Sequence, residues 1–248
     1  MNRPPEGYRI IRLDAVDSTN NVAKLAAADS AVDGTVFWTS QQTAGRGTHG
    51  REWSTPPGNL AVSILKRPRM PIRFAAQGAL VSAVALADAL TETGLSGDRI
   101  GLKWPNDVMV DGRKISGILL EGAANDAAVD WLVIGVGVNV VHHPAEARHP
   151  ATDLAASGVQ ATVEGVLGSF LGAFERWWGR WRRYGFPVIA TAWSARSQHR
   201  PGDLLTVSQG GQTFQAIYKG LSADGALVVA GMDGMDKEVA SGEIFAHA

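Results

Sequence analysis

Cysteine is absent from the 248-residue chain. Its absence excludes disulfides, thiolate-ligated metals and covalent thiol intermediates. Net charge is nearly absent too, because 23 lysines and arginines offset 24 aspartates and glutamates to leave a formal −1. No global field therefore recruits nucleic acid or an anionic membrane. No apolar stretch runs uninterrupted for the ~20 residues that a bilayer span requires, and Met1 to Glu6 lacks the apolar run of a signal peptide. The expectation is a cytoplasmic protein with neither nucleic acid nor membrane as partner. What is present suits a real hydrophobic core, with 45% hydrophobic and 19% charged residues.

Patterning predicts alternating strands and helices over most of the chain. Tyr8 to Leu13, Thr35 to Ser40 and Asn59 to Lys66 read as strands. Asp17-Ser18-Thr19-Asn20 reads as the cap of an alanine-rich helix through Val22 to Ala27. Phe74 to Glu92 is apolar at helical spacing and predicts a buried helix. Ile100 to Trp104 leads into a Pro105-Asn106-Asp107 turn, and Asp111-Gly112 between Val108–Val110 and Lys114–Leu120 is a strong hairpin signal. Trp131 to Val141 predicts a buried strand, His142 to Pro150 a loop, and Val163 to Tyr184 a helix. In that helix Trp177, Trp178 and Trp181 read as core-packing residues, with Arg176, Arg180 and Arg182 beside them. After Arg200-Pro201-Gly202-Asp203 the texture changes to short strands (Leu204–Val207, Gln212–Lys219, Ala226–Val229) between Gly-Gly and Asp-Gly turns, as in a small β-barrel. The division expected is 1–196 for the main domain and 197–248 for the barrel.

The segment Gly45-Arg46-Gly47-Thr48-His49-Gly50-Arg51 matches GxGxxG literally. A dinucleotide fingerprint needs a helix starting inside it, and Pro56-Pro57-Gly58 shortly after cannot supply one. A Walker A reading fails for want of Gly-Lys-Ser/Thr. Two readings remain: an anion-binding loop, with glycine N–H groups and the forks of Arg46 and Arg51, or a solvated surface loop. Gly117 and the Gly135/Gly137 pair stand inside strands, which often marks close approach of a ligand or another backbone. The histidines (His142, His143, His149, His199, His247) show no metal-ligand spacing, and no protein metal ligand is assigned.

Taken in order, Ser18-Thr19-Asn20, Gln42 to Trp53 (QTAGRGTHGREW), Lys103 to Asp107 (KWPND), Arg113 to Glu121 (RKISGILLE) and Ile134 to Asn139 (IGVGVN) resemble the biotin–protein ligase family. Asp224 to Leu227 and Gly242 to Ile244 extend the resemblance into the barrel. It implies an α+β fold: a class II synthetase-like, lipoate-ligase-like catalytic domain with a central mixed sheet and flanking helices, plus a C-terminal SH3-like barrel. It also implies an enzyme that forms biotinyl-5′-AMP and pyrophosphate from biotin and ATP with Mg²⁺. Biotin then passes to a lysine of a biotin carboxyl carrier protein domain.

The same resemblance implies roles for individual residues. Ser18 or Thr19, with Asn20 and Gln42, would hold the ureido ring of biotin. The loop from Gly45 through Arg46 and Gly47 to Arg51 would close over the ligand, with Arg46 at the biotin carboxylate and adenylate phosphate. Trp53 would lie against adenine, Lys114 at the reacting carboxyl, and Asn106 and Asn139 near the nucleotide. Gly117 and Gly135 would line the biotin tail, and Lys103 would add fixed positive charge. Thr48 stands where many members of the family carry arginine, which puts phosphate contacts at that position in doubt.

Three rival readings follow. A ligase that also represses transcription would place a helix-turn-helix module before Ser18, and the 17 residues there are too few for one. A lipoate or octanoate transferase shares the fold but carries a different glycine-rich motif. A non-catalytic biotin-binding module has no need of Lys114, Arg46 and both asparagines. Relatives occur as homodimers and as monomers, so oligomeric state stays open.

Overall fold

The computed structural model describes residues 5–125, 128–146 and 150–246; His149 and His247 lie outside them. The first of two sheets contains β1 (Arg9–Arg12), β2 (Thr35–Thr39), β3 (Leu60–Lys66), β4 (Ile100–Lys103), β5 (Asp107–Val110), β6 (Arg113–Asn125) and β7 (Ala128–Val138). Its spatial order is β1-β2-β3-β7-β6-β5-β4. β1 and β2 run parallel, joined by a crossover containing helix α1 (Thr19–Ala28), and all other neighbours are antiparallel. The mixed sheet and the Asp-Gly hairpin match expectation, with Asp111 and Gly112 both at positive φ (48° and 72°).

Side-chain alternation assigns the two faces of this sheet. Leu60, Val62 and Ile64 of β3 and Leu132, Ile134, Val136 and Val138 of β7 enter the main core, beneath α2 (Gln77–Glu92), α3 (Val163–Tyr184) and α4 (Phe186–Ser194). On the opposite face Leu65, Val133 and Phe37 meet Ala23 and Ala27 of α1 in a smaller cluster. The stretch Ile72–Glu92 is long and apolar enough to cross a membrane by composition. Here it is a core helix, because the sheet covers one side and α3 another. Trp177, Trp178 and Trp181 are buried as expected, and the indoles of Trp177 and Trp181 donate to Asp88 (2.7 Å) and Gln77 (2.8 Å).

The second sheet contains β8 (Leu204–Gln209), β9 (Gln212–Leu221), β10 (Leu227–Gly231), β11 (Asp236–Val239) and β12 (Glu243–Ala246), antiparallel in the order β11-β10-β9-β8-β12. It forms the small C-terminal barrel-like unit. Residues 196–198 pair along edge strand β4, with Leu102 N–H donating to Arg196 O (2.8 Å) and Gln198 N–H to Leu102 O (2.9 Å). The Trp104 indole donates to Gly225 O (3.2 Å) and so ties the two sheets together.

Several elements differ from the patterning. Helix α1 begins at Thr19 rather than Val22, and the Ser18 side chain makes no capping bond. The Gln42 carboxamide oxygen takes the Thr19 N–H instead (2.8 Å). The β6–β7 hairpin runs on through Ala123, Ala124 and Asn125, a weakly strand-forming stretch that partner-strand pairing holds extended. Helix α4 is separated from α3 by Gly185 at φ +76° with Pro187 in the first turn, a break legible in Gly-Phe-Pro but not read as a new helix. β11 and β12 are also additional to the expectation.

Candidate functional site

Beside α1 the second sheet face is formed by glycines rather than by bulky side chains. Gly117 of β6 pairs directly with Gly137 of β7, and Leu119 with Gly135. The absence of side chains there is demanded by neighbours: a Cβ on Gly135 would stand 2.2 Å from Asn20 Oδ1, and one on Gly137 2.1 Å from Trp53 Nε1. These glycines are the floor of a cavity of about 430 Å³, within the size range of small-molecule sites.

The cavity walls bring together most of the expected residues. Ser18, Thr19, Asn20, Gln42, Arg46, Gly47, Arg51, Trp53, Asn106, Lys114, Gly117, Gly135 and Asn139 all line it. Gly45 lies behind the loop, where a Cβ would meet Trp53 O and the Gln42 carboxamide. Lys103 lines a second cavity of about 410 Å³, bounded by α2, the 103–107 turn and the 240–244 segment. Arg51 and Asn106 border both spaces, so the two adjoin.

At one end of the first cavity the α1 N-terminus is fastened by side chains. Gln42 accepts from Thr19 N–H and donates to Thr55 Oγ1 (3.1 Å), while the buried Ser63 hydroxyl reaches Asn20 Oδ1 (2.5 Å) and Thr19 Oγ1 (2.8 Å). The glycine-rich loop starts no helix. It makes one 3-10 turn over Thr48–Gly50, with His49 and Gly50 at positive φ. That geometry agrees with the rejection of a dinucleotide fold. Trp53 N–H donates to Gly45 O (2.9 Å), closing the loop, and the indole lies across Gly117 and Gly137. Thr48 has a structural use, since Arg51 donates to its carbonyl (3.1 Å) and its hydroxyl (2.8 Å).

Each of three site cations has a protein carboxylate as neighbour. Lys114 Nζ sits 2.5 Å from Asp107 Oδ1 and 5.5 Å from the centroid of Trp53. Arg51 pairs with Glu243 of β12. Arg46 donates to both oxygens of Glu121 (2.9 and 3.1 Å), which also accepts from Lys24 (2.6 Å) and Asn20 (2.9 Å). Burial alone would raise the Glu121 carboxyl, but the Lys24 and Asn20 hydrogen bonds and the Arg46 charge outweigh it and hold it below the usual carboxylate range. The three carboxylates carry no signal of their own in the sequence, whereas Gly137 belongs to the in-strand glycine pair noted there. Glu121 and Asp107 stand inside quoted motifs, and only the folded geometry reveals their pairing.

The far wall is the segment after β7. Asn59 Oδ1 accepts from Val140, Val141 and His142 N–H (3.0–3.1 Å), and Asn139 donates to Thr152 O (3.0 Å). Asn106 donates to Ile118 O (2.7 Å), fixing the 103–107 turn to β6. His142 and His143 are exposed as expected, although His143 Nδ1 meets Asp153 Oδ2 at 2.6 Å. Among the described residues no group of three or more His, Asp or Glu side chains is placed to hold a metal ion.

Glycine floor, arginine-bearing loop and mixed sheet together enclose a cavity of small-molecule size with Arg46, Arg51 and Lys114 in its lining. The sequence model of the biotin/lipoate A/B protein ligase family matches residues 13–139, and the chain belongs to that family. It is 34% identical over 239 residues to the biotin–[acetyl-CoA-carboxylase] ligase of Paracoccus denitrificans, covering 94% of this chain and 98% of that protein. It is 31% identical to the bifunctional ligase/repressor BirA of Bacillus subtilis strain 168, covering 93% of this chain and 72% of that protein. The fold superposes with a TM-score of 0.80 on the Aquifex aeolicus biotin protein ligase in complex with biotin and ATP. That pair is 28% identical, and the match covers 96% of this chain and 98% of the other.

Proposed function

We propose that the chain is an ATP-dependent biotin–protein ligase whose acceptor is a lysine on a biotin carboxyl carrier domain. The observation that carries this reading is the glycine-floored cavity, which joins the Thr19/Gln42 end to the cations Arg46, Arg51 and Lys114. A neutral bicycle with a hydrogen-bonding ureido ring and a carboxylate tail matches a pocket lined by Thr19 and Gln42 at one end and by Arg46, Arg51 and Lys114 at the other.

In the first step the biotin carboxylate oxygen attacks the α-phosphorus of ATP and pyrophosphate leaves, giving a mixed anhydride. Charge builds on the α-phosphate, and Arg46 and Lys114 are the cavity cations proposed to stabilise it. Mg²⁺ enters as part of the ATP substrate, carried by phosphates and water. Asn106 and Asn139 flank the nucleotide, Trp53 packs on adenine, and the loop from Gly45 to Arg51 excludes water from the anhydride. In the second step a neutral carrier lysine attacks the carbonyl, the C–O bond to AMP breaks, and the amine loses its proton. The domain boundary near residues 196/197 belongs to this reading too.

The test is incubation with biotin, MgATP and a purified carrier domain, read by intact mass. One biotinyl addition on the carrier lysine, dependent on ATP, is expected. An unmodified carrier with all substrates present would overturn the proposed acceptor.

A further inference from the structure

Glu121 takes no part in the chemistry outlined above, yet it gathers more charged hydrogen bonds than any residue the reaction was assigned. Its carboxylate, on the site face of β6, is met from α1 by Asn20 (2.9 Å) and Lys24 (2.6 Å) and from the loop by Arg46. Among the described residues the side-chain bonds of Arg46 fall on one nitrogen. Nη2 donates to Glu121 Oε1 (3.1 Å), Glu121 Oε2 (2.9 Å) and Asn21 Oδ1 (2.7 Å). Among the described residues Nε and Nη1 have no protein partner, and Arg46 lines the cavity.

We infer that Glu121 is a positioning residue: it grips one nitrogen of the Arg46 guanidinium and so turns the other two toward the anion in the cavity. A guanidinium is planar, so fixing one nitrogen against a carboxylate sets the direction of the remaining donors. Without that grip an arginine on a partly exposed loop samples many rotamers, and its donors face the ligand only part of the time. Lys24 and Asn20 hold the carboxylate from the helix side, so the grip is referred to the rigid α1–sheet junction rather than to the loop. Asp17 also feels the Arg46 charge, so Lys24 and Arg46 face two carboxylates and the grip acts through the direction of the donors rather than through net charge.

This inference rests on the proposed contact between Arg46 and the adenylate, and the experiment separates the two. The rate of biotinyl-adenylate release and the labelling of bystander lysines are measured for wild type, Arg46→Gly, Glu121→Gln and the double variant, alongside melting temperature. Glu121→Gln keeps shape and removes charge. It is expected to raise release several-fold in a protein that still melts cooperatively, and to add nothing once Arg46 is glycine. Should Glu121→Gln fold poorly, Asn21→Ala removes another Nη2 acceptor from an accessible position on α1. It should raise release by a smaller factor that likewise vanishes in the Arg46→Gly background. Wild-type release in the Glu121 and Asn21 variants, with Arg46→Gly leaky, overturns the positioning role alone. An equal rise with and without Arg46 does the same. Wild-type release from Arg46→Gly overturns both the contact and the role built on it.

Discussion

The two faces of the seven-stranded sheet use the same strands for opposite ends. On one face β7 presents Leu132, Ile134, Val136 and Val138, all buried against helices. On the other it presents Val133, which packs on α1, and then Gly135 and Gly137, which pack on nothing of their own and leave room for Asn20 and Trp53. Bulk on the first face builds the core, and its omission on the second leaves the cavity in which binding is proposed. Substitutions one residue apart in sequence should therefore separate folding from activity.

The largest effect is expected at Gly137→Ala. The new methyl displaces the Trp53 indole from the floor, and misplacement of about 1 Å in a site costs on the order of 100-fold in rate. Biotin-dependent pyrophosphate exchange should fall by at least that factor while the unfolding midpoint stays near wild type. Lys114→Ala comes next: with Lys114 at the reacting carboxyl, as proposed, removing this fixed cation should lower kcat by roughly 100-fold without unfolding the protein. Wild-type turnover in a folded Lys114→Ala protein would remove that residue from the mechanism.

The opposite face should respond in the opposite sense. Ile134→Ala deletes buried methyl groups between β7 and the helices and should cost about 2–5 kcal/mol in urea unfolding. The folded fraction should exchange pyrophosphate at the wild-type rate. Loss of specific activity beyond the unfolded fraction would show that the two faces are not separable.

The smallest effect is expected at His199, at the edge where β4 meets the second sheet. Its side chain is buried, its Nε2 has no partner among the described residues, and burial first, then the nearby Lys103 charge, push its pKa below the ordinary value. The unfolded chain therefore binds more protons below about pH 6.5. Stability contributed by the neutral imidazole is complete above that pH and is lost as pH falls toward the folded-state pKa. His199→Asn should flatten the stability profile between pH 7 and 5 and leave activity at pH 8 unchanged. An identical slope in both proteins would remove His199 as its source.

The contrast between the faces also explains what could be read from the chain alone. Glycine inside an apolar strand is visible as a departure, which marks Gly117, Gly135 and Gly137 in the sequence alone. The order of the motifs then supplied thirteen residues that line one cavity. Pairing across the fold was not legible. Nothing local in Ile-Leu-Leu-Glu says that Glu121 will meet Asn20, Lys24 and Arg46 from two other elements, or that Arg51 will reach Glu243 in the second sheet. Lys103 was grouped with the phosphate-binding cations because it opens the KWPND motif. It faces the adjoining cavity because the strand ends there and the turn carries Asn106 around to the first. The terminal strands are illegible for different reasons: β11 holds three charged residues and one apolar one, β12 is only four residues long, and pairing with β10 and β8 supplies what the local pattern lacks.

The most direct test is ATP–pyrophosphate exchange with Mg²⁺, compared across biotin, lipoate, octanoate and no added acid. The account predicts exchange with biotin alone, because the Thr19/Gln42 end suits a hydrogen-bonding ring. Exchange driven by lipoate or octanoate in place of biotin, or no exchange with any acid, would contradict it.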